Sequence, residues 1–161
     1  MFPKYYGPLK VITLPDRGYR TAPSAGALYG LETYVIVKNV DGVSPGFYKY
    51  IPDGHRLIKV REGNVLDPLF PSALRQEFIK EASFVLLFCG VYERLAQKYG
   101  DRASRYTHME VGHAAQNVHL QVVSMGLVTV VIGAFDDDKV KEILHLQGNE
   151  HPLYFMPIGR M

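Results

Sequence analysis

Runs of apolar residues divide most of the chain into strands and helices. Residues 31–38 alternate with a period of two, and residues 47–51 and 56–60 have a similar β-branched and aromatic composition between turns rich in Gly, Pro and Asp. The continuous apolar run over residues 83–90 has the length of a strand that is buried on both faces. These four segments predict an antiparallel meander and a central buried strand.

The rest of the pattern predicts helices and two further strands. The 3.6-residue spacing of apolar positions predicts helices over residues 68–81, 91–100, 102–125 and 136–146. Residues 127–135 are predicted to form a second buried strand and residues 153–159 a last one. This order of elements is typical of an α+β fold with a mostly antiparallel central sheet flanked by helices.

The beginning of the chain has little periodicity, because glycines and prolines interrupt it. We therefore predict an irregular N-terminal arm over residues 1–22. No repeat, low-complexity tract or second composition regime follows the arm. The sequence predicts a single domain over residues 1–161.

Composition excludes several classes of function. Eighteen basic and 16 acidic residues leave a formal net charge of +2, which is too even for a protein that mainly binds nucleic acid. Cys89 is the single cysteine, so no intramolecular disulfide and no multi-cysteine metal site can form. No apolar run approaches the roughly 20 residues that a bilayer requires, and the N-terminus lacks the apolar stretch of a signal peptide. These features predict a cytoplasmic protein without a membrane or nucleic-acid partner.

The longest predicted helix carries polar residues on one face. Tyr106, Glu110, His113 and Asn117 follow one another at steps of four, three and four residues. The face is either a structural network that holds the helix against neighbouring backbone or a surface for a ligand or a second subunit. Glu110 and His113 also have the spacing of a di-iron motif, but such a site needs two of these motifs, so we predict no metal site.

Three blocks together resemble a known family. They are RTAPSAGALYGLETYVIV at residues 20–37, KYGDRASRYTHMEVGHAAQNVHLQVVSMGLVTVVIGAFDDDKV at residues 98–140 and EHPLYFMPIGR at residues 150–160. In this order and spacing they resemble the nitroreductase-like FMN flavoproteins, and specifically the SagB-type dehydrogenase branch. The resemblance implies a domain-intertwined homodimer that binds FMN at the subunit interface.

The resemblance also implies where FMN is bound. A loop that contacts the flavin ring matches Pro23, Ser24, Ala25 and Gly26, and a strand end that approaches the reactive edge of the flavin matches Ile132, Gly133 and Ala134. Arg160 matches a basic residue that pairs with the FMN phosphate, and Arg20 is a further candidate for phosphate or dimer contacts. The usual N-terminal helix, which carries an arginine cluster for the phosphate, is missing from the matched pattern. The chain is thus predicted to be a short member of the family.

Lys98 and Tyr99 resemble the Lys-Tyr pair that azoline dehydrogenases of this branch use as a catalytic base. The predicted function is an FMN-dependent oxidoreductase that transfers hydride between a reduced nicotinamide, NADH or NADPH, or an organic small-molecule substrate and the flavin. The alternative is a non-catalytic homodimeric scaffold or accessory subunit whose flavin binding is weak or lost.

Overall fold

Six antiparallel strands form the central sheet of the computed structural model, which describes residues 12–14 and 18–160. In chain order the strands are β1 (Ile12–Leu14), β2 (Tyr19–Arg20), β3 (Leu31–Val37), β4 (Gly46–Ile51), β5 (Arg56–Glu62), β6 (Phe84–Gly90), β7 (Val128–Thr129) and β8 (His151–Gly159). The helices are α1 (Leu66–Leu69), α2 (Glu77–Glu81), α3 (Tyr92–Tyr99), α4 (Ala103–Ser124) and α5 (Asp137–Leu144). The order in the sheet is β5-β4-β3-β6-β8-β7, and β1 pairs with β2 separately.

The two middle strands, β3 and β6, explain why the sheet forms. They pair in register from Leu31 opposite Gly90 to Val37 opposite Phe84. All seven residues of β6 are buried, as its continuous apolar sequence predicts. The predicted meander is also confirmed, because β3, β4 and β5 pair in sequence and antiparallel.

Helices cover both faces of the sheet. Ala114 and Val118 of α4 belong to the apolar cluster on one face. Leu69 of α1, Ile79 of α2 and Val140 of α5 belong to the cluster on the other. The predicted α+β fold is confirmed, with the central sheet between two layers of helices. Because the apolar clusters fill both faces of the sheet, the loops lie at the ends of the strands.

The helix predicted over residues 68–81 is wrong in one respect, because the chain forms two short helices there. Leu74 and Arg75 have φ angles of 53° and 54°, which place both residues in the left-handed region. Consecutive left-handed residues cannot continue a right-handed helix, and Pro71 has no N–H to donate. The chain therefore turns between α1 and α2.

The strand predicted over residues 127–135 is shorter and less buried than expected. Only Val128 and Thr129 pair as a strand, and Ile132 adds one isolated bridge to Phe155. Among the described residues β7 is an edge strand with β8 as its single neighbour, and Val128 is 39% exposed.

The arm predicted as irregular over residues 1–22 is also corrected, in the part that the structure describes. Ile12–Leu14 and Tyr19–Arg20 pair as short antiparallel strands. Residues 1–11 and 15–17 lie outside the described residues.

Candidate functional site

The loop of residues 23–26 approaches the C-terminal end of α3. Gly26 has a φ of 60°, and a Cβ built on it would lie 2.7 Å from Tyr99 Oη and 3.2 Å from Lys98 Nζ. Both the left-handed backbone and this close approach favour glycine. The structure thus brings two predicted groups together, the ring-contacting loop and the Lys-Tyr pair.

Lys98 and Tyr99 stand at the last turn of α3. Lys98 is exposed and its Nζ lies 5.5 Å from the centroid of the Tyr99 ring. The Tyr99 ring packs edge-on against Tyr106 of α4, with centroids 5.0 Å apart. Packing therefore fixes the direction of the Tyr99 hydroxyl, whereas the Lys98 amine keeps its contact with water.

Glu110 of α4 holds the loop from below. It is 1% exposed, and its Oε2 accepts hydrogen bonds from Ser24 Oγ at 2.6 Å and from the Gly30 N–H at 3.1 Å. Ser24 Oγ in turn accepts from the Tyr29 N–H at 2.9 Å, and His113 Nδ1 is 3.2 Å from the Pro23 carbonyl oxygen. We call these contacts the Glu110 clamp. It favours the structural interpretation of the polar face of α4.

Two polar atoms on that face remain without partners among the described residues. Glu110 Oε1 and Asn117 Nδ2 are buried and accept or donate no hydrogen bond there. An unsatisfied buried polar atom costs about 1–3 kcal/mol, so these atoms mark a place where the described chain does not complete its own polar contacts.

Arg20 lies on the same side of the sheet as the loop. Its guanidinium carbon stands 3.9 Å from the centroid of the Tyr29 ring, and its backbone N–H donates to Tyr29 Oη at 3.1 Å. Beside it, Arg94 donates to the Tyr29 carbonyl oxygen at 3.0 Å and to the Glu32 carboxylate. Glu32 also pairs with Lys49 at 3.1 Å.

The segment of residues 132–134 lies on the outer side of β8, three strand positions from β3, which is the strand that follows the loop. Ile132 is buried, and both its N–H and its carbonyl pair with Phe155, at 2.8 and 2.9 Å. Gly133 and Ala134 are exposed, and the Ala134 carbonyl accepts from Gln76 Nε2 at 2.9 Å. The backbone of Ile132 is therefore already committed within the sheet.

Arg160 follows the end of β8 and lies at the other end of the sheet. The register places Gly90 opposite His151 near the loop and Phe84 opposite Ile158 near Arg160. The two pairs lie six positions apart along β6, which is roughly 20 Å. Arg160 is exposed and borders a mostly apolar cavity of about 200 Å³ between α2 and β7. In one chain, therefore, Arg160 does not meet the loop.

The comparison with known proteins identifies the class. Residues 11–160 match the sequence model of the Nitroreductase family. The chain belongs to the nitroreductase family. At the level of class, the prediction of an oxidoreductase with this fold is confirmed.

Two curated proteins illustrate the relationship. The chain is 50% identical over 145 residues to a protein of Methanocaldococcus jannaschii whose name assigns it to the nitroreductases, with 90% of this chain and 72% of that protein covered. It is 30% identical over 140 residues to the microcin B17-processing protein McbC of Escherichia coli, with 82% of this chain and 51% of McbC covered.

Solved structures have the same fold. A nitroreductase-named protein of Anabaena variabilis superposes with a TM-score of 0.84 at 29% identity, covering 98% of this chain and 32% of that one. A chain of the E. coli microcin synthetase McbBCD complex with truncated pro-MccB17 bound gives 0.84 at 26% identity, with 99% and 62% covered. The chain thus spans about half of McbC and a third of the Anabaena protein. No helix within the described residues is long and apolar enough to cross a membrane.

Proposed function

We propose that this chain is an FMN-dependent oxidoreductase of the SagB-type branch, which transfers hydride between a reduced nicotinamide or an organic substrate and the flavin. The observation that carries the proposal is the 23–26 loop, which sets small residues against Lys98 Nζ and Tyr99 Oη. Family membership and the 30% identity with McbC support it.

The described residues fit a flat heterocycle. Gly26 has no side chain and Ala25 has a small one, while the Ser24 hydroxyl is tied inward to Glu110. The main chain of this loop is therefore what a ring would contact. In the segment of residues 132–134, the backbone N–H of Ile132 is already hydrogen-bonded to Phe155. A backbone donor to the flavin would therefore be the N–H of Gly133 or Ala134. Arg160 would hold the phosphate through its guanidinium fork.

FMN, when bound, supplies the two-electron chemistry, and the protein supplies orientation and proton transfer. Lys98 Nζ and Tyr99 Oη are ionisable groups that border Gly26 of the loop. In our proposal they accept a proton from a substrate that is oxidised and return it to one that is reduced. The Glu110 clamp keeps the loop in place while this happens.

The separation of the candidate groups supports a homodimer. Because the loop and Arg160 lie roughly 20 Å apart in one chain, we propose that the loop of one copy meets Arg160 and residues 133–134 of another. The outer face of α4 supplies an apolar contact surface: Met109, Leu120 and Val123 share one stripe and are 48%, 63% and 71% exposed. Large exposed apolar side chains on one stripe are typical of an interface.

The test is a titration of the purified chain with FMN, followed by visible absorbance. We expect saturable binding and bleaching on addition of NADH or NADPH without oxygen. Leu120→Asp should give a monomer that no longer binds FMN, whereas Ile58→Asp, at an equally apolar position that is 50% exposed on β5, should change neither property.

Two results would count against the proposal. Absence of saturable binding at high micromolar FMN would overturn the enzyme and leave the scaffold or accessory subunit. A monomeric Leu120→Asp variant with full FMN affinity would overturn the shared site.

A further inference from the structure

A second cavity lies next to the segment that follows the loop, where Leu28 and Tyr29 line it. Its volume is about 320 Å³, and its walls include Arg20, Tyr29, Glu32, Thr33, Tyr50 and Arg94. This volume is at the lower end of the roughly 300–1,000 Å³ that ligand pockets occupy, which suits a small molecule or one side chain. We call it the Arg20 cavity.

Most charged groups in these walls are already paired. Glu32 contacts both Arg94 and Lys49. Burial opposes ionisation of Glu32, but the hydrogen bond from Arg94 and the charge of Lys49 outweigh it and lower its pKa. Arg94 divides its donors between Glu32 and the Tyr29 carbonyl oxygen. Glu32 and Arg94 therefore neutralise each other inside the cavity wall.

Arg20 is the exception. Its guanidinium makes no ion pair with any residue between 18 and 160, and its Nε is buried without a hydrogen-bond partner there. Burial lowers the pKa of Arg20, and the more distant charges of Glu110 and Glu32 offset this only in part. The Thr33 hydroxyl in the same wall is likewise buried without a partner among the described residues. The wall thus has one positive charge that no ion pair within the described residues neutralises.

The stacking on Tyr29 prepares Arg20 for an anion. An arginine whose guanidinium already lies over an aromatic ring loses little further freedom when it binds, and its planar fork matches a carboxylate. Two arginines against one glutamate leave a single positive charge in the wall, which fits a monoanion better than a phosphate dianion. The Tyr29 ring and the side chain of Pro52 line the cavity beside it.

We propose that the Arg20 cavity binds the carboxylate of a small organic acid, with Arg20 as its counter-ion. The cavity borders the 23–26 loop through Tyr29, whose N–H is bonded to Ser24. We therefore assign the carboxylate to the organic substrate, so that the cavity selects substrates that are acids. This assignment rests on the proposed function, whereas binding of a carboxylate in the cavity does not.

The test uses benzoate and its neutral analogue benzamide as probes, with binding measured by calorimetry on the full chain before and after addition of FMN. We expect benzoate to bind roughly tenfold or more tightly than benzamide, because a charge-assisted hydrogen bond contributes more than a neutral one. Arg20→Gln should remove this preference. Arg75→Gln, an exposed arginine between α1 and α2, should keep it.

Further probes distinguish a small organic acid from a peptide carboxylate and from phosphate, and a measurement on the wild-type protein guards against a misfolded variant. A peptide with a free C-terminal carboxylate tests whether a larger acid enters, and inorganic phosphate should bind more weakly than benzoate. In wild-type protein, benzoate but not benzamide should shift the nuclear magnetic resonance signal of the Arg20 Nε–H, a readout that does not depend on a folded variant.

Equal affinity for benzoate and benzamide would overturn the proposal, as would a preference that survives Arg20→Gln or tighter binding of phosphate. Loss of benzoate binding in the FMN-loaded protein would also overturn it, since the cavity would then be part of the flavin site. Failure to bind FMN, with benzoate binding intact, would overturn the proposed function but leave the cavity assignment standing.

Discussion

The corner around Gly26 and the end of β8 differ in how many of their polar groups already have partners. At the corner, the Ser24 hydroxyl, the Gly30 N–H and the Tyr29 N–H all bond within a few ångströms of the Glu110 carboxylate. At the end of β8, Arg160 is exposed beside a mostly apolar cavity. The first region is assembled by the chain itself, and the second is a surface.

This difference indicates how the two regions would contribute to one site. Groups that are fixed before a ligand arrives lose little freedom on binding, so the corner is suited to orient a ring. A single exposed arginine contributes charge, and in the proposed homodimer a second copy of the chain would set its position toward the ring. Variants in the two regions should therefore fail in different ways.

The largest effect is expected from Gly26→Ala. The new Cβ would collide with Tyr99 Oη and press on Lys98 Nζ, so both groups must move away from the loop. Displacement of reacting groups by about 1 Å can reduce turnover about 100-fold, and we expect a loss of that order in NADH-dependent turnover of the FMN-loaded protein.

The matched control is Gly42→Ala, because Gly42 has a φ of 77° and no atom within 4 Å of the added Cβ. It carries the backbone strain of about 1–2 kcal/mol without the collision. Equal turnover losses in the two variants would show that strain, and not displacement of the Lys98 and Tyr99 pair, causes the effect.

The next effect is expected from Arg160→Gln, measured as the dissociation constant of FMN. Loss of a charge-assisted hydrogen bond to phosphate should weaken binding roughly tenfold or more. The free energy of unfolding should stay the same, because Arg160 is exposed. Arg102→Gln, at another exposed arginine, is the control. An unchanged FMN isotherm would remove Arg160 from the phosphate site.

The elements with clear periodicity could be predicted from the sequence. The apolar run of β6 and the spacing of α4 each predict an element within about two residues of its bounds, because burial on both faces or on one stripe leaves a distinct pattern. The helix over residues 68–81 was predicted wrongly because the left-handed conformation of Leu74 and Arg75 has no such pattern. The periodicity of apolar residues does not show where the backbone leaves the helical conformation.

The residues of the candidate site could be proposed from the sequence, but their spatial arrangement could not be predicted from it. The contact of Gly26 with Tyr99 and the bonding of Ser24 to Glu110 join positions 73 and 86 residues apart in sequence. The distance between Gly26 and Arg160 depends on the sheet order, which places the end of β8 far from the start of β3. These distances in space depend on the order of the strands in the sheet, which a sequence motif does not reveal.

A smaller effect concerns the stability of the corner around Gly26, measured on the chain without flavin. Ser24→Ala and Glu110→Gln each weaken the Glu110 clamp, so their effects on the free energy of unfolding in urea should not add. We expect a coupling of about 1–2 kcal/mol, as is usual for residues in direct contact. Ser124→Ala, about four turns further along α4, should add independently to Glu110→Gln. A coupling near zero for Ser24 would contradict the clamp.

The smallest effect concerns acid and compares Glu32, in the wall of the Arg20 cavity, with Arg160 at the end of β8. Because the pKa of Glu32 is lower in the folded protein, the unfolded chain takes up this proton first as the pH falls. The stability that Glu32 contributes is thus present above its unfolded pKa of about 4.3 and is lost as the pH falls through the folded value. The difference in unfolding free energy between wild type and Glu32→Gln should be on the order of 1 kcal/mol near pH 6 and shrink below about pH 4. The Arg160→Gln difference should stay constant over the same range, and a constant Glu32→Gln difference would contradict the role of the Arg94 and Lys49 contacts.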